Sequence, residues 1–198
     1  MLIRENRVYS QNGEDGIIAS IFEAIGPTNR FFAEIGCENG DECNTRKLSE
    51  IDGWSGIRID DRYSDPTRHI YQHTVSPENV TELLLKYGAP EVFDLFSVDV
   101  DFFDFHILQA VLTKYKPRVI VSEYNSSLGP QVDCVVPYIP GRSWDRTNFF
   151  GASYTASDEL GRFYGYKVVH CDVNGVNIFL VKNELLTNGL HPVWLTPT

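Results

Sequence analysis

The chain has 198 residues and a mass of 22.5 kDa, of which 42% are hydrophobic, 22% charged and 13% aromatic. That composition predicts a single α/β or α+β domain over residues 1–198 and excludes intrinsic disorder; at this size roughly 70% of the unfolded surface is buried, so the core needs no disulfide or metal staple. Acidic residues outnumber basic ones 27 to 17, giving a formal charge of −10, and Lys and Arg gather into no stripe, which argues against nucleic acid as a partner.

In chain order, Ile17, Ile18, Ile21, Phe22 and Ile25 recur at helical spacing, and Gly26-Pro27 stops that helix. Residues 30–35 (RFFAEI) read as a short strand that ends in a glycine turn. A helix is predicted over 41–51, a second strand over 54–59, a third over 70–75, and a helix opened by Pro77 that runs to Tyr87. Residues 93–100 (FDLFSVDV) and 118–124 (RVIVSEY) are β-rich and are separated by a helical segment over about 103–115. Strand, helix and strand alternate, which predicts a mostly parallel sheet covered by helices on both faces, with ligands bound beyond the strand C-termini. Residues 125–150 carry Pro130, Pro137 and Pro140 and read as a long irregular loop of the kind that forms lids or binding sites. After a helix over 157–165, the strands 166–172 and 176–182 close a hairpin around Asn174-Gly175. A parallel sheet ending in such a hairpin is the plan of class I methyltransferases rather than of nicotinamide dehydrogenases.

The four cysteines, Cys37, Cys43, Cys134 and Cys171, show no CxxC spacing, and the opening MLIRENRVYSQ lacks the basic-then-apolar design of a signal peptide. Both features lead to the expectation of reduced thiols and a cytoplasmic location. No apolar run approaches the ~20 residues of a membrane span.

The segment FFAEIGCENGDEC sets Glu34 at a strand end, followed by Gly36 and Gly40, which let a ligand approach the backbone. Asp60, at the end of the next strand, is placed to accept hydrogen bonds from ribose hydroxyls, so an adenosine-containing cofactor fits. Taken alone, the two glycines are equally read as a tight turn. Glu38 stands where a dinucleotide fingerprint has its middle glycine and would repel a pyrophosphate; S-adenosyl-L-methionine, with its sulfonium and ammonium, suits acidic walls better. Asp99 and Asp101 alternate at the end of one strand and so share a face, with Asp104 opening the next helix. Glu123 and Asn125 end the neighbouring strand within reach of Asp99. Such oxygen donors suit Mg²⁺, or one carboxylate serves as general base toward a hydroxyl, or Asp101 and Asp104 merely cap the helix. The five histidines show no metal-ligand spacing, although His69 and His73 fall beside the presumed cleft. Cys37 lacks an evident base, and Phe102, Phe103 and Phe105 read as core or pocket wall.

Taken together, YSQNGEDGII at 9–18, FAEIGCENGDECNT at 32–45, GWSGIRID at 53–60, DLFSVDVD at 94–101 and PRVIVSEYN at 117–125 resemble the FkbM-like branch of class I S-adenosylmethionine-dependent methyltransferases. The resemblance runs from about Tyr9 to Val181 and includes NFFGASY and GYKVVHCDVNGVNIFLV. It implies a Rossmann-like α/β sheet and a cofactor held by Glu34, Gly36 and Gly40, by Asp60 on the ribose, and by Tyr9, Ser10 and Gln11 near the methionine end, with Asn44 and Thr45 supporting that shell. Similar metal-dependent O-methyltransferases map their ligands onto Asp99, Glu123 and Asn125 here. The chain departs from the branch at DFFDF, where bulky Phe102 and Phe103 replace a small polar turn and bear on substrate choice. The expected activity is transfer of the methyl group of S-adenosyl-L-methionine to the hydroxyl of a small molecule, a sugar or natural product, with Asp99 and Asp101 as the catalytic carboxylates and Mg²⁺ as a second cofactor. The competing readings are a non-catalytic module that binds the cofactor or a nucleotide, and a nicotinamide-dependent oxidoreductase. Neither nucleic acid nor membrane is expected as a partner, and assembly into a homo-oligomer is left open.

Overall fold

In the computed structural model, residues 3–188 are described. Seven strands, β1 (Phe31–Ile35), β2 (Ser55–Asp60), β3 (Ile70–Gln72), β4 (Val92–Val98), β5 (Lys116–Glu123), β6 (Tyr166–Cys171) and β7 (Asn177–Lys182), form one sheet in the order β3-β2-β1-β4-β5-β7-β6. The first five are parallel; β7 runs antiparallel to β5 and pairs with β6 in the terminal hairpin. The chain leaves β1 toward β2 and β3 on one side and returns to β4 and β5 on the other, so the switch point lies between β1 and β4, where α/β sheets bind ligands.

Helices cover both faces. On one, α1 (Glu14–Ile25) sets Ile17, Ile18 and Ile21 against Phe32, Leu95, Val119 and Phe179, joined by Leu48 of α2 (Arg46–Glu50). On the other, α3 (Val80–Lys86), α4 (Asp104–Leu112) and α5 (Tyr154–Phe163) pack Leu84, Ile107, Val111 and Leu160 on Ile35, Phe96 and Ile120. At roughly 1.5–3 kcal/mol for each large side chain fully buried, packing dominates the stability of α1; its N-cap Gly13 offers no side chain, and the Ser10 hydroxyl instead accepts from the Asp15 N–H at 3.0 Å.

Several boundaries differ from those the sequence predicts. The helix expected over 41–51 forms only as Arg46–Glu50, since the backbone N–H groups of Asn44 and Thr45 turn to the Glu34 carboxylate instead of entering a helix. The helix from Pro77 starts at Val80, because Ser76–Asn79 makes a turn in which the Asn79 side chain accepts from the Ser76 N–H at 2.8 Å. The fifth helix starts three residues earlier than expected, capped by Ser153, whose hydroxyl accepts from Ala156 N at 3.2 Å. Strand β4 stops at Val98, and the next two residues leave the sheet through Asp101 in a left-handed conformation with φ 65°. Asp99 and Asp101 therefore do not alternate along a strand. They share one wall because a loop folds them there.

Candidate functional site

A cavity of about 700 Å³ opens beyond the C-terminal ends of β1, β2 and β4. Its floor is made by the loop after β1. Gly36 donates its N–H to Ile59 O at 2.9 Å, Asp99 donates to Ile35 O at 3.0 Å, and a Cβ on Gly36 would lie 1.6 Å from the Asp99 carbonyl oxygen. With φ at +78°, Gly36 is demanded by both conformation and space. Gly40 (φ +80°) packs on Ile70 and faces a smaller cavity beside Arg46 and Trp54 rather than the main one.

The carboxylates of the wall are held by the loops around them. Glu34 is buried and accepts from Asn44 N at 2.9 Å, from Thr45 N at 3.3 Å and from the Thr45 hydroxyl, with the Arg58 guanidinium 3.7 Å away. It thus joins Asn44 and Thr45 to the cavity floor. Asp60 accepts from Glu38 N at 2.7 Å, Arg62 N at 2.9 Å and Tyr63 N at 3.2 Å, three of the roughly four positions a carboxylate offers. Its first effect is to hold the β1 and β2 loops together, and it keeps one lone pair for a ligand. Asp61, next in the chain, also lines the cavity.

The N-terminal motif divides in the same way. The Asp15 carboxylate collects Val8 N, Tyr9 N, Ser10 N and the Ser10 hydroxyl at 2.7–3.0 Å, and the Tyr9 ring stacks under Arg46 with 4.0 Å between guanidinium and centroid. Tyr9 and Ser10 therefore brace the entry of α1, and Gln11 alone of the three lines the cavity. Sequence reasoning passed over Glu14, which is buried, lines the cavity, and accepts from Asn177 Nδ2 at 2.9 Å and from Asn12 N at 2.7 Å. Asn177 lies 163 positions away along the chain, so no local pattern could have announced the pair.

Behind the cavity wall, Asp99, Asp104 and Glu123 each place a carboxylate oxygen within 4.8 Å of the other two. Asp104 accepts from Val100 N at 2.7 Å through one oxygen; it bonds a loop rather than capping α4. Its other oxygen and Oε2 of Glu123 are buried with no hydrogen-bond partner among the described residues. Burial, followed by the charges of Asp101 and Glu34, lifts Asp99 to about 7. Burial and the neighbouring carboxylates push Glu123 up to about 10 and Asp104 well above the usual range. Asn125, which the resemblance named as a ligand beside Asp99 and Glu123, has both ends of its amide engaged by the loop that follows it. Its amide donates to Asn148 O at 2.9 Å and Phe150 O at 3.0 Å and its oxygen accepts from Ser127, so it braces the long loop over 125–150.

Asp101 is exposed on the cavity wall. His73 reaches the cavity with Nε2 2.6 Å from Tyr87 Oη, His69 lies at the smaller cavity, and His106 donates to Val136 O at 2.8 Å. Cys37 lines the floor, but burial and the Glu34 charge raise its thiol far above neutrality, which leaves it no nucleophile. Phe102 is buried, whereas Phe103 faces the cavity opposite Tyr138.

The strand order, the terminal hairpin and a cavity at the switch point define a class I, Rossmann-like methyltransferase fold. The METTL16 methyltransferase domain superposes with a TM-score of 0.50 over 89% of this chain and 70% of that one, at 12% identity. The magnesium protoporphyrin IX methyltransferase ChlM of Synechocystis PCC 6803, with bound SAH, matches at TM-score 0.48 and 8% identity over 85% of this chain and 81% of its own. The O-methyltransferase TomG of Streptomyces achromogenes, in complex with SAM, matches at 0.48 and 13% over 88% and 82%. No protein-family model matches the sequence, and no curated protein matches it.

Proposed function

We propose that the chain binds S-adenosyl-L-methionine in the main cavity and transfers its methyl group to a hydroxyl of a small molecule. The observation that carries this reading is the acid-walled cavity at the switch point of the sheet. Glu14, Glu34, Glu38, Asp60, Asp99 and Asp101 all line it, a charge pattern that attracts a sulfonium and an ammonium and repels a pyrophosphate. Glu14 faces the ammonium, the Gly36 backbone admits the methionine chain, and Asp60 with Asp61 receives the ribose. The hydroxyl oxygen attacks the methyl carbon, the carbon–sulfur bond breaks, and its electron pair stays on sulfur to give neutral S-adenosylhomocysteine. Asp99, lifted toward neutrality by burial, takes the hydroxyl proton. Positioning supplies most of the acceleration, because the two reactants are held in line.

Magnesium is part of the proposal. Asp99, Asp104 and Glu123 fit a hard divalent cation, with two buried oxygens that have no hydrogen-bond partner among the described residues as donors; in the metal-bound state Asp99 would serve as a ligand instead of as the base. When bound, the ion would lower the cost of ionising a hydroxyl. A test uses methyl-labelled S-adenosyl-L-methionine and a panel of monosaccharides and polyols. Asp99→Asn is expected to lose turnover at least about a hundredfold with cofactor affinity little changed, and Asp60→Ala to weaken the cofactor itself. Equal effects of both variants on affinity would contradict this division of labour.

A further inference from the structure

The cavity is not acidic throughout. Apart from Arg62, which sits beside Asp60 and 3.5 Å from Asp61, its guanidinium groups come from one short stretch of the long loop, Arg142 and Arg146. Arg142 lies 3.6 Å from Asp145, and its guanidinium stands 5.5 Å from the Phe102 ring and 5.3 Å from that of Phe149. Aromatic faces orient the group while leaving its N–H donors free in the ring plane. Arg146 makes no ion pair and no side-chain hydrogen bond among the described residues, and its backbone is held at φ 64°, a conformation that costs a non-glycine residue about 1 kcal/mol or more. The stretch is braced: Trp144 Nε1 donates to Thr147 O at 2.7 Å, the Tyr138 hydroxyl donates to Glu78 at 2.9 Å, and Asn125 holds the far end of the loop.

We propose that Arg142 and Arg146 bind an anionic group, phosphate or carboxylate, carried by the methyl acceptor, so that the acceptor is an anionic hydroxy compound. This rests on the transfer reading above. Arg142 stands against Phe102 and Phe149, next to the start of α4, and Arg146 follows it in the same loop; Glu14 stands on the α1 side, tied to β7 through Asn177. The methionine carboxylate is bonded to the same carbon as its ammonium, so it stays with Glu14 and leaves the arginines to a second ligand. Each guanidinium can meet an oxyanion through two N–H groups, and Asp99 and Asp101, which line the same cavity, are the groups left to receive the acceptor's hydroxyl.

The test is calorimetric titration of the full chain, saturated with S-adenosylhomocysteine, with glycerol, glycerate and glycerol 3-phosphate. The expected result is binding of one or both anions but not of glycerol, weakened about tenfold or more in Arg142→Gln/Arg146→Gln, with S-adenosylhomocysteine affinity unchanged. The tighter anion identifies the acceptor's charged group. Arg146→Gln alone removes no ion pair or side-chain hydrogen bond among the described residues and guards against misfolding of the double variant. Equal binding of glycerol, no binding of either anion, or anion binding untouched by the variants overturns the proposal. So does a parallel loss of S-adenosylhomocysteine affinity, which would assign the arginines to the cofactor. If the wild type fails to bind S-adenosylhomocysteine, the transfer reading fails and the acceptor assignment with it, whatever the anions do.

Discussion

Gly36 shows how tightly one position controls the site. Any side chain there meets the Asp99 carbonyl, and that carbonyl belongs to the loop that carries two of the cavity's carboxylates. Gly36→Ala is expected to destabilise the fold by about 2–4 kcal/mol, from the left-handed backbone and the overpacking together, and to abolish cofactor binding. Gly53 is the control: its φ is +69° but nothing lies within 4 Å of a Cβ, so Gly53→Ala should cost about 1 kcal/mol and leave binding intact. Urea denaturation and titration with S-adenosylhomocysteine separate the two cases, and similar penalties at both glycines would contradict the contact argument. The place of Glu34, Gly36 and Asp60 at the strand ends that border the cavity was legible in the sequence, because a strand end followed by glycine and acid is a local pattern. The direction of their hydrogen bonds was not. Glu34 turns to Asn44 and Thr45 and Asp60 to Glu38, Arg62 and Tyr63, partners set by loop geometry that no spacing encodes.

At the scale of elements, the ends of β4 and β5 and the start of α4 bring three carboxylates together, with no cationic side chain beside them among the described residues. Their folded values are raised above unfolded values near 4, so the neutral form is the one the fold favours. Stability from these groups is therefore complete below about pH 4 and is lost as the pH rises through the folded values, about 7 for Asp99 and about 10 for Glu123. In metal-free protein, Asp104→Asn keeps the acceptor for Val100 N and removes one buried charge. It should match the wild type near pH 4 and exceed it at pH 9 by about 1–3 kcal/mol, a rise in thermal midpoint of about 2–4 °C per kcal/mol. A variant less stable than the wild type at pH 9 would show that the cluster is not strained by its charge. Helix capping was one of the readings open for Asp104, and Asn125 was expected as a ligand; the hydrogen bonds both make have a physical reason. The strand ends at Val98, so the chain turns back and swings the start of α4 under Asp99, while Asn125 is drawn away to hold the carbonyls of Asn148 and Phe150.

The whole molecule separates its support from its chemistry along the sheet. At the opposite end from the cavity, buried Asp94 accepts from Thr28 N, Arg30 N and Arg118 at 2.7–3.0 Å, and Arg118 also donates to Gly26 O at 2.6 Å. That network ties the end of α1 to the start of the sheet and leaves the other edge to the cavity. The order of strands and helices was legible because apolar runs and Gly or Pro punctuation are local signals, and the hairpin because Asn-Gly specifies its turn. The arginines of the cavity were not, since Arg142 and Arg146 line it from a loop whose far end Asn125 holds through the carbonyls of Asn148 and Phe150. The central claim, that this cavity holds S-adenosyl-L-methionine, is tested most directly by calorimetric titration of the wild-type protein with S-adenosyl-L-methionine and with S-adenosylhomocysteine, each with and without Mg²⁺. The account predicts saturable binding of both near one per chain, with Mg²⁺ giving a separate heat that Asp104→Asn removes. Absence of binding by either compound under both conditions would contradict it.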